Sequence, residues 1–178
     1  FDKDIALHTP AKLSRVHLNM IYNELEKLML PYEKKDMCQT DTVQCLHKIA
    51  EMTHKRSLVI IFSDMFDNLD NSKEMFAALE HLRYNKHEVI LFHVFDSLLE
   101  EKLEYENRPH RFVDLETGET LKLNPVEIKE QYETIMLAKK EELLRHCYQY
   151  QIDYVEADIN KSYNQILTSY LIKRSKIS

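Results

Sequence analysis

Apolar residues along this chain follow two rhythms, short unbroken runs and longer stretches with three- and four-residue spacing. The clearest run is Leu58-Val59-Ile60-Ile61-Phe62, closed at once by Ser63-Asp64. Its length and β-branched content predict a strand buried on both faces, as in a parallel sheet covered by helices. A second run spans Glu88 to Phe95 and ends in Asp96; a third, Ile152 to Glu156, leads through Ala157 to Asp158. A further short strand is expected over Ile5 to His8, stopped by Pro10, which cannot donate to a ladder.

Helical spacing fills the intervals. Ser14 is placed to cap a helix reaching Met29, with Leu18, Ile21, Tyr22, Leu25, Leu28 and Met29 on one face. Thr40 is expected to cap a helix to His54 that turns Val43, Leu46 and Ala50 inward. Ser72 opens a third to Tyr84 with Met75, Phe76, Leu79 and Leu82 as its stripe. Asn124-Pro125-Val126-Glu127 combines a cap, a first-turn proline and a capping glutamate, and starts a helix to Tyr150. On it Ile128, Tyr132, Ile135, Leu143, Leu144 and Cys147 are expected inward, and a last helix runs from Ser162 to Lys173 with Tyr163, Ile166, Leu167, Tyr170 and Leu171 as its stripe. The stretch 100–124 breaks the alternation: Arg111 to Leu115 and Glu119 to Leu123 flank Glu116-Thr117-Gly118 and read as a hairpin. The pattern predicts a doubly wound α/β fold, with a mostly parallel sheet, helices on both faces and an inserted hairpin.

Composition narrows this picture. At 178 residues, with 44% hydrophobic and 30% charged residues, the chain reads as one globular domain over 1–178. A net charge of −6 gives no footprint for nucleic acid or an anionic membrane. No apolar run approaches the roughly 18 residues of a spanning helix, so no membrane insertion is expected. Cys38, Cys45 and Cys147 are scattered without a CxxC spacing, which predicts a cytoplasmic protein with reduced, buried thiols. Gly118 is the single glycine, which excludes Gly-rich phosphate loops and dinucleotide fingerprints.

The candidate chemistry lies at strand ends. In parallel sheets ligands bind beyond the carboxyl ends of the strands, where Asp64, Asp96 and Asp158 fall. Clustered carboxylates there could serve a divalent-metal-dependent phosphoesterase acting through Asp64 and Asp96. Against this, no Asp-x-Asp follows a strand, and no His-x-His, His-Glu-x-x-His or Gly-x-Ser-x-Gly motif occurs. The expectation is that the strand-end aspartates hold turns, that Thr40 caps its helix, and that His93, inside a strand, is a hydrogen-bonded core residue.

Several of these segments resemble a known family. Phe1-Asp2, Thr40-Asp41-Thr42 and the strand closing on Ser63-Asp64 look like a von Willebrand factor A-like domain. Phe95-Asp96, the hairpin Val113-Asp114-Leu115-Glu116-Thr117-Gly118-Glu119 and the closing Tyr170-Leu171-Ile172-Lys173-Arg174 resemble the bacterial family known as domain of unknown function 58. The resemblance implies a binding module without catalysis, often paired with a MoxR-type AAA+ ATPase. It also implies a metal-ion-dependent adhesion site, with Asp64 and Thr40 as candidate ligands for Mg²⁺ or Mn²⁺ and Ser63, Asp67 and Asp96 on the partner-facing edge. The Asp-x-Ser-x-Ser loop of such sites has no counterpart among these residues. Phe1-Asp2 resembles the end of a later strand, so the chain is expected to lack the family's first strand and that loop. A sheet missing a strand exposes an edge, which predicts a homodimer through exposed sheet edges.

Overall fold

The computed structural model describes residues 7–9, 12–29, 42–54, 56–64, 72–114 and 118–175. Three parallel strands form the main sheet in the order β1 (Leu58–Ser63), β2 (Glu88–Phe95) and β5 (Asp153–Asp158). Four helices connect or flank them: α2 (Thr42–Met52), α3 (Ser72–Tyr84), α4 (Pro125–Gln149) and α5 (Tyr163–Ser175). Helix α1 (Arg15–Leu28) precedes these, and the antiparallel pair β3 (His110–Val113) and β4 (Thr120–Leu123) forms the expected hairpin before α4. Predicted and observed elements agree closely; a single π-helical turn over Ser97–Glu101 was not anticipated. The strand expected at Ile5 to His8 falls mostly outside the described residues, and Leu7 to Thr9 carry no strand.

Local chemistry sets the boundaries. The Ser14 hydroxyl accepts from the His17 amide at 3.1 Å to open α1, and the Asn124 side chain accepts from the Val126 amide to open α4, with Pro125 in its first turn. Gly118 (φ 74°) closes the hairpin, its amide donating to the Asp114 carbonyl at 2.9 Å. The helix-to-strand turns manage without glycine. Arg56, Lys86 and Gln151, just ahead of β1, β2 and β5, all take the left-handed conformation. Arg83 steadies two of these turns, donating to the carbonyls of His87 and Tyr150 and to Gln151 Oε1.

The core lies on one face of the sheet. Ile61, Val89 and Leu91 pack there against Leu46 and Ala50 of α2, Met75, Phe76, Leu79 and Leu82 of α3, and Leu143 and Cys147 of α4. Burial pushes the Cys147 thiol up to about 12, so it stays an unreactive apolar filler. The stripes expected of α2 and α3 pack as expected, and so do Leu143 and Cys147 of α4. The rest is corrected: α1 has no buried residue, Ile135 and Leu144 of α4 are exposed, and so are Tyr163, Leu167 and Leu171 of α5.

The expectation that Leu58 to Phe62 is buried on both faces is also corrected. Ile61 is buried, but Leu58, Ile60 and Phe62 are 48%, 48% and 63% exposed. The register explains the difference. These three residues share a face with Glu88, Ile90 and Phe92 of β2, where Ile90 and Phe92 are buried. The cover there comes from α5, whose Tyr170 meets Phe92 edge-on at 5.8 Å and whose Arg174 bonds Glu88 at 2.5 Å. That cover reaches β2 and stops short of β1. Phe62 stacks on Phe92 at 4.8 Å, yet keeps its outer side open.

Candidate functional site

The carboxyl ends of β1, β2 and β5 bring Ser63-Asp64, Asp96 and Asp158 to one edge, as the sequence predicts. Thr40 and Asp67 lie outside the described residues. Asp64 ends β1 with an exposed side chain, and Ser63 sits beside His93 in the ladder, half-buried.

Asp96 and Asp158 are drawn into a shared network. Asp96 Oδ1 accepts from the amides of Leu98 (2.9 Å) and Leu99 (3.1 Å), capping the π-helical turn, and from Asn160 Nδ2 (2.8 Å). Asp158 Oδ1 accepts from the Ser97 amide (3.4 Å) and from the amide and Nδ2 of Asn160, both at 3.1 Å. One side-chain amide therefore bridges two carboxylates and ties the end of β2 to the end of β5. The bond from Asn160, then the Leu99 and Leu98 amides, hold Asp96 below the usual carboxylate range. Burial pulls Asp158 upward, but its hydrogen bonds from Asn160 and Ser97 outweigh that, and it too is lowered. Both side chains are kept ionised and turned toward main-chain donors. The sequence pattern does not single out Asn160 as a site residue, although Asp158-Ile159-Asn160 is the kind of pattern that builds side-chain-stabilised turns.

Beneath this edge His93 is fully buried, its Nδ1 2.6 Å from the Tyr154 hydroxyl. Burial lowers the affinity of His93 for a second proton, against an opposing pull from the main chain of Asp64. Burial, then the charge of Glu156, raises the Tyr154 phenol far above its ordinary value. His93 is thus the hydrogen-bonded core residue expected from sequence. Lys140 of α4 lies between Glu101 (2.7 Å) and Glu156 (2.9 Å), 4.9 Å over the Phe95 ring. Desolvation works against its charge, but the two carboxylate partners prevail and raise its pKa. The triad joins α4 to the π-helical turn and β5, a positioning role for the walls of the edge.

The fit of this edge to a hard cation can be judged from its donors. Mg²⁺ or Mn²⁺ needs several oxygen ligands converging at about 2.0–2.2 Å. Among the described residues, no three His, Cys, Asp or Glu side chains come together in a way that could hold a metal ion. Asp64 stands outside the Asp96–Asn160–Asp158 network, in which the Oδ1 atom of each carboxylate already accepts from amide donors. The described donors do not by themselves fit a divalent ion.

Residues 1–142 match the model of the family described as "Protein of unknown function DUF58", and this chain belongs to that family. The match runs from the amino end through β1, β2 and the hairpin into α4. No curated protein and no solved structure matches the chain. Among the described residues, no helix is long and apolar enough to cross a membrane.

Proposed function

We propose that this chain is a non-catalytic protein-interaction module of the von Willebrand factor A-like kind, acting in the cytoplasm and docking a partner polypeptide along β1. The observation that carries this reading is the chemistry of that strand. Leu58–Ser63 contains no charge, proline or glycine, and every second side chain on its outer face is exposed. Among the described residues no strand lies beyond it in the sheet. An edge of that kind is a template for strand addition, and proteins normally blunt it. The strand-end carboxylates support the same reading from the other side, since Asp96 and Asp158 each accept hydrogen bonds that hold turns. The family resemblance suggests a MoxR-type AAA+ ATPase as a partner. This reading takes docking to be independent of an adhesion-type cation.

The test uses a purified MoxR-type ATPase with wild-type chain, Phe62→Asp and Asp64→Ala, with and without millimolar Mg²⁺. Capture by wild type and Asp64→Ala, lost in Phe62→Asp and indifferent to Mg²⁺, is the expected result. Turnover of a generic phosphodiester that Asp64→Ala abolishes would replace this reading with the phosphoesterase.

A further inference from the structure

Two consecutive units of the fold, α2 with β1 and α3 with β2, meet along a seam fastened by histidines. On the helix side, His47 of α2 and His81 of α3 face each other with their Nδ1 atoms 3.0 Å apart. Their ring centres lie 5.3 Å apart, close to that separation plus one ring radius at each end, so the two nitrogens meet head-on. Head-on nitrogens share one hydrogen, and the bond exists only while one Nδ1 keeps its lone pair. A bound metal ion would instead draw both lone pairs sideways to a common point. On the strand side, the Ser57 amide just ahead of β1 donates to His87 Nδ1 at 3.2 Å. His87 is fully buried, and as an acceptor at Nδ1 its neutral ring carries its hydrogen on Nε2. The same junction holds the bond from the Glu88 amide to the Ser57 carbonyl at 3.0 Å.

We propose that this seam is a proton-sensitive latch, closed while His87 is neutral and the His47–His81 pair holds at most one added proton, and opened by mild acid. A proton on His87 Nδ1 would point at the Ser57 N–H, donor against donor, in a fully buried position. A second added proton on the pair would set two Nδ1 hydrogens and two positive charges against each other at 3.0 Å. The surroundings add little relief. Beside His87, Arg83 donates to its carbonyl, Arg56 and Lys86 occupy the turns ahead of the two strands, and Glu88 is held by Arg174. Beside the pair on α2 and α3 stand Lys48, Glu51 and Glu80, and both glutamates are exposed, where solvent screens them. From α4, His146 stacks on Phe76 at 3.7 Å, and burial keeps the Cys147 thiol neutral. An imidazole free in solvent gains its proton near pH 6.5. Below about that pH the open seam therefore binds more protons than the closed one, so closure is fully favoured above it and weakens as pH falls.

The experiment is amide hydrogen exchange followed by NMR, corrected for intrinsic rates, between about pH 7.5 and about pH 5. It compares wild type with His87→Gln and with the double variant His47→Gln/His81→Gln, whose side-chain amides can keep hydrogen bonds without titrating. In wild type, opening at the Ser57 and Glu88 amides is expected to rise at least about tenfold over that range. The Ile152 amide, bonded to the Cys147 carbonyl at 2.8 Å outside the seam, is expected to change far less. Each variant should lose part of the rise at the seam, while His93 and His146 stay in place throughout. Imidazole ¹⁵N spectra of wild type at neutral pH should show the Nε2–H form of His87 and one hydrogen between the Nδ1 atoms of His47 and His81. Seam exchange that does not respond to pH overturns the latch, as does an equal response in wild type and both variants. So does a rise at Ile152 in step with the seam, which would mean global acid unfolding, or a His87 ring that carries its hydrogen on Nδ1. Should the glutamine variants fail to fold, the wild-type contrast of Ser57 with Ile152 and the imidazole spectra still decide.

Discussion

Among the described residues, the two outer strands of the main sheet are built from opposite chemistry. β5 reads Asp-Tyr-Val-Glu-Ala-Asp, with three carboxylates in six residues, and is flanked by both α4 and α5. Its last carboxylate is fastened by Asn160, and Glu156 is held by Lys140. β1 reads Leu-Val-Ile-Ile-Phe-Ser, with no charge anywhere and apolar side chains open to solvent. Natural edges carry charges, covers or bulges because a bare strand recruits other strands. β5 is finished as the end of a sheet. β1 has the composition of an interior strand, and the segment meets the criteria for an aggregation-prone window when left uncovered. The difference supports the proposal that a partner docks on the β1 side.

Mutational cost should differ most sharply between the core face of the sheet and the outer face at β1. Leu91→Ala, in the core facing α2 and α3, is expected to destabilise by about 2–5 kcal/mol. Ile60→Ala, two strand positions from an equally apolar setting, should cost under about 1 kcal/mol in dilute chain, because its side chain is already half in water. Urea melts at low and high protein concentration check both values. A concentration-dependent rise in the cost at Ile60 would show the outer face being covered, while a large cost at every dilution would break the contrast.

The β5 side can be loosened at its fastening. Asp96 and Asp158 have folded pKa values below their unfolded ones, so their stabilisation is present above about pH 4 and is lost as pH falls through the lower folded values. Asn160→Ala removes the donor shared by both. Its deficit against wild type should be full at neutral pH and vanish once both carboxylates are protonated. Melting temperatures from pH 7 down to about pH 2 test this, and two parallel curves would mean that Asn160 acts through packing alone.

The smallest effects belong to the turns feeding the strands, and they should be alike on both sides. A left-handed non-glycine residue costs roughly 1–2 kcal/mol, and glycine gives back about 0.5–1 kcal/mol of that through chain entropy. Arg56→Gly before β1 and Gln151→Gly before β5 are each expected to raise stability by about 0.5 kcal/mol, readable as a small upward shift in melting temperature. Equal gains would confine the asymmetry to the edges themselves.

Most of the fold was legible because it rests on local signals. Ser14 and Asn124 fix helix starts by satisfying orphan amides, Pro125 fits a first turn, and the two longest apolar runs have the length and branching of strands. The stripe of α3 packs as its spacing foretold, since a helix with one apolar side next to a sheet has only one way to bury it. The candidate site was half legible. The positions of Asp64, Asp96 and Asp158 follow from strand ends, and His93 follows from lying inside a strand.

What sequence could not decide was which apolar faces find cover. Leu58, Ile60 and Phe62 carry the same signal as Ile90 and Phe92, and only the reach of α5 separates exposed from buried. The bridging of two carboxylates by Asn160 likewise joins residues 64 positions apart, a distance over which local pattern carries no information. Element type and boundaries come from interactions within a few residues, so the sequence alone determined them. Burial and charge partnership depend on which elements meet, and that was settled only when the strands took their places in the sheet.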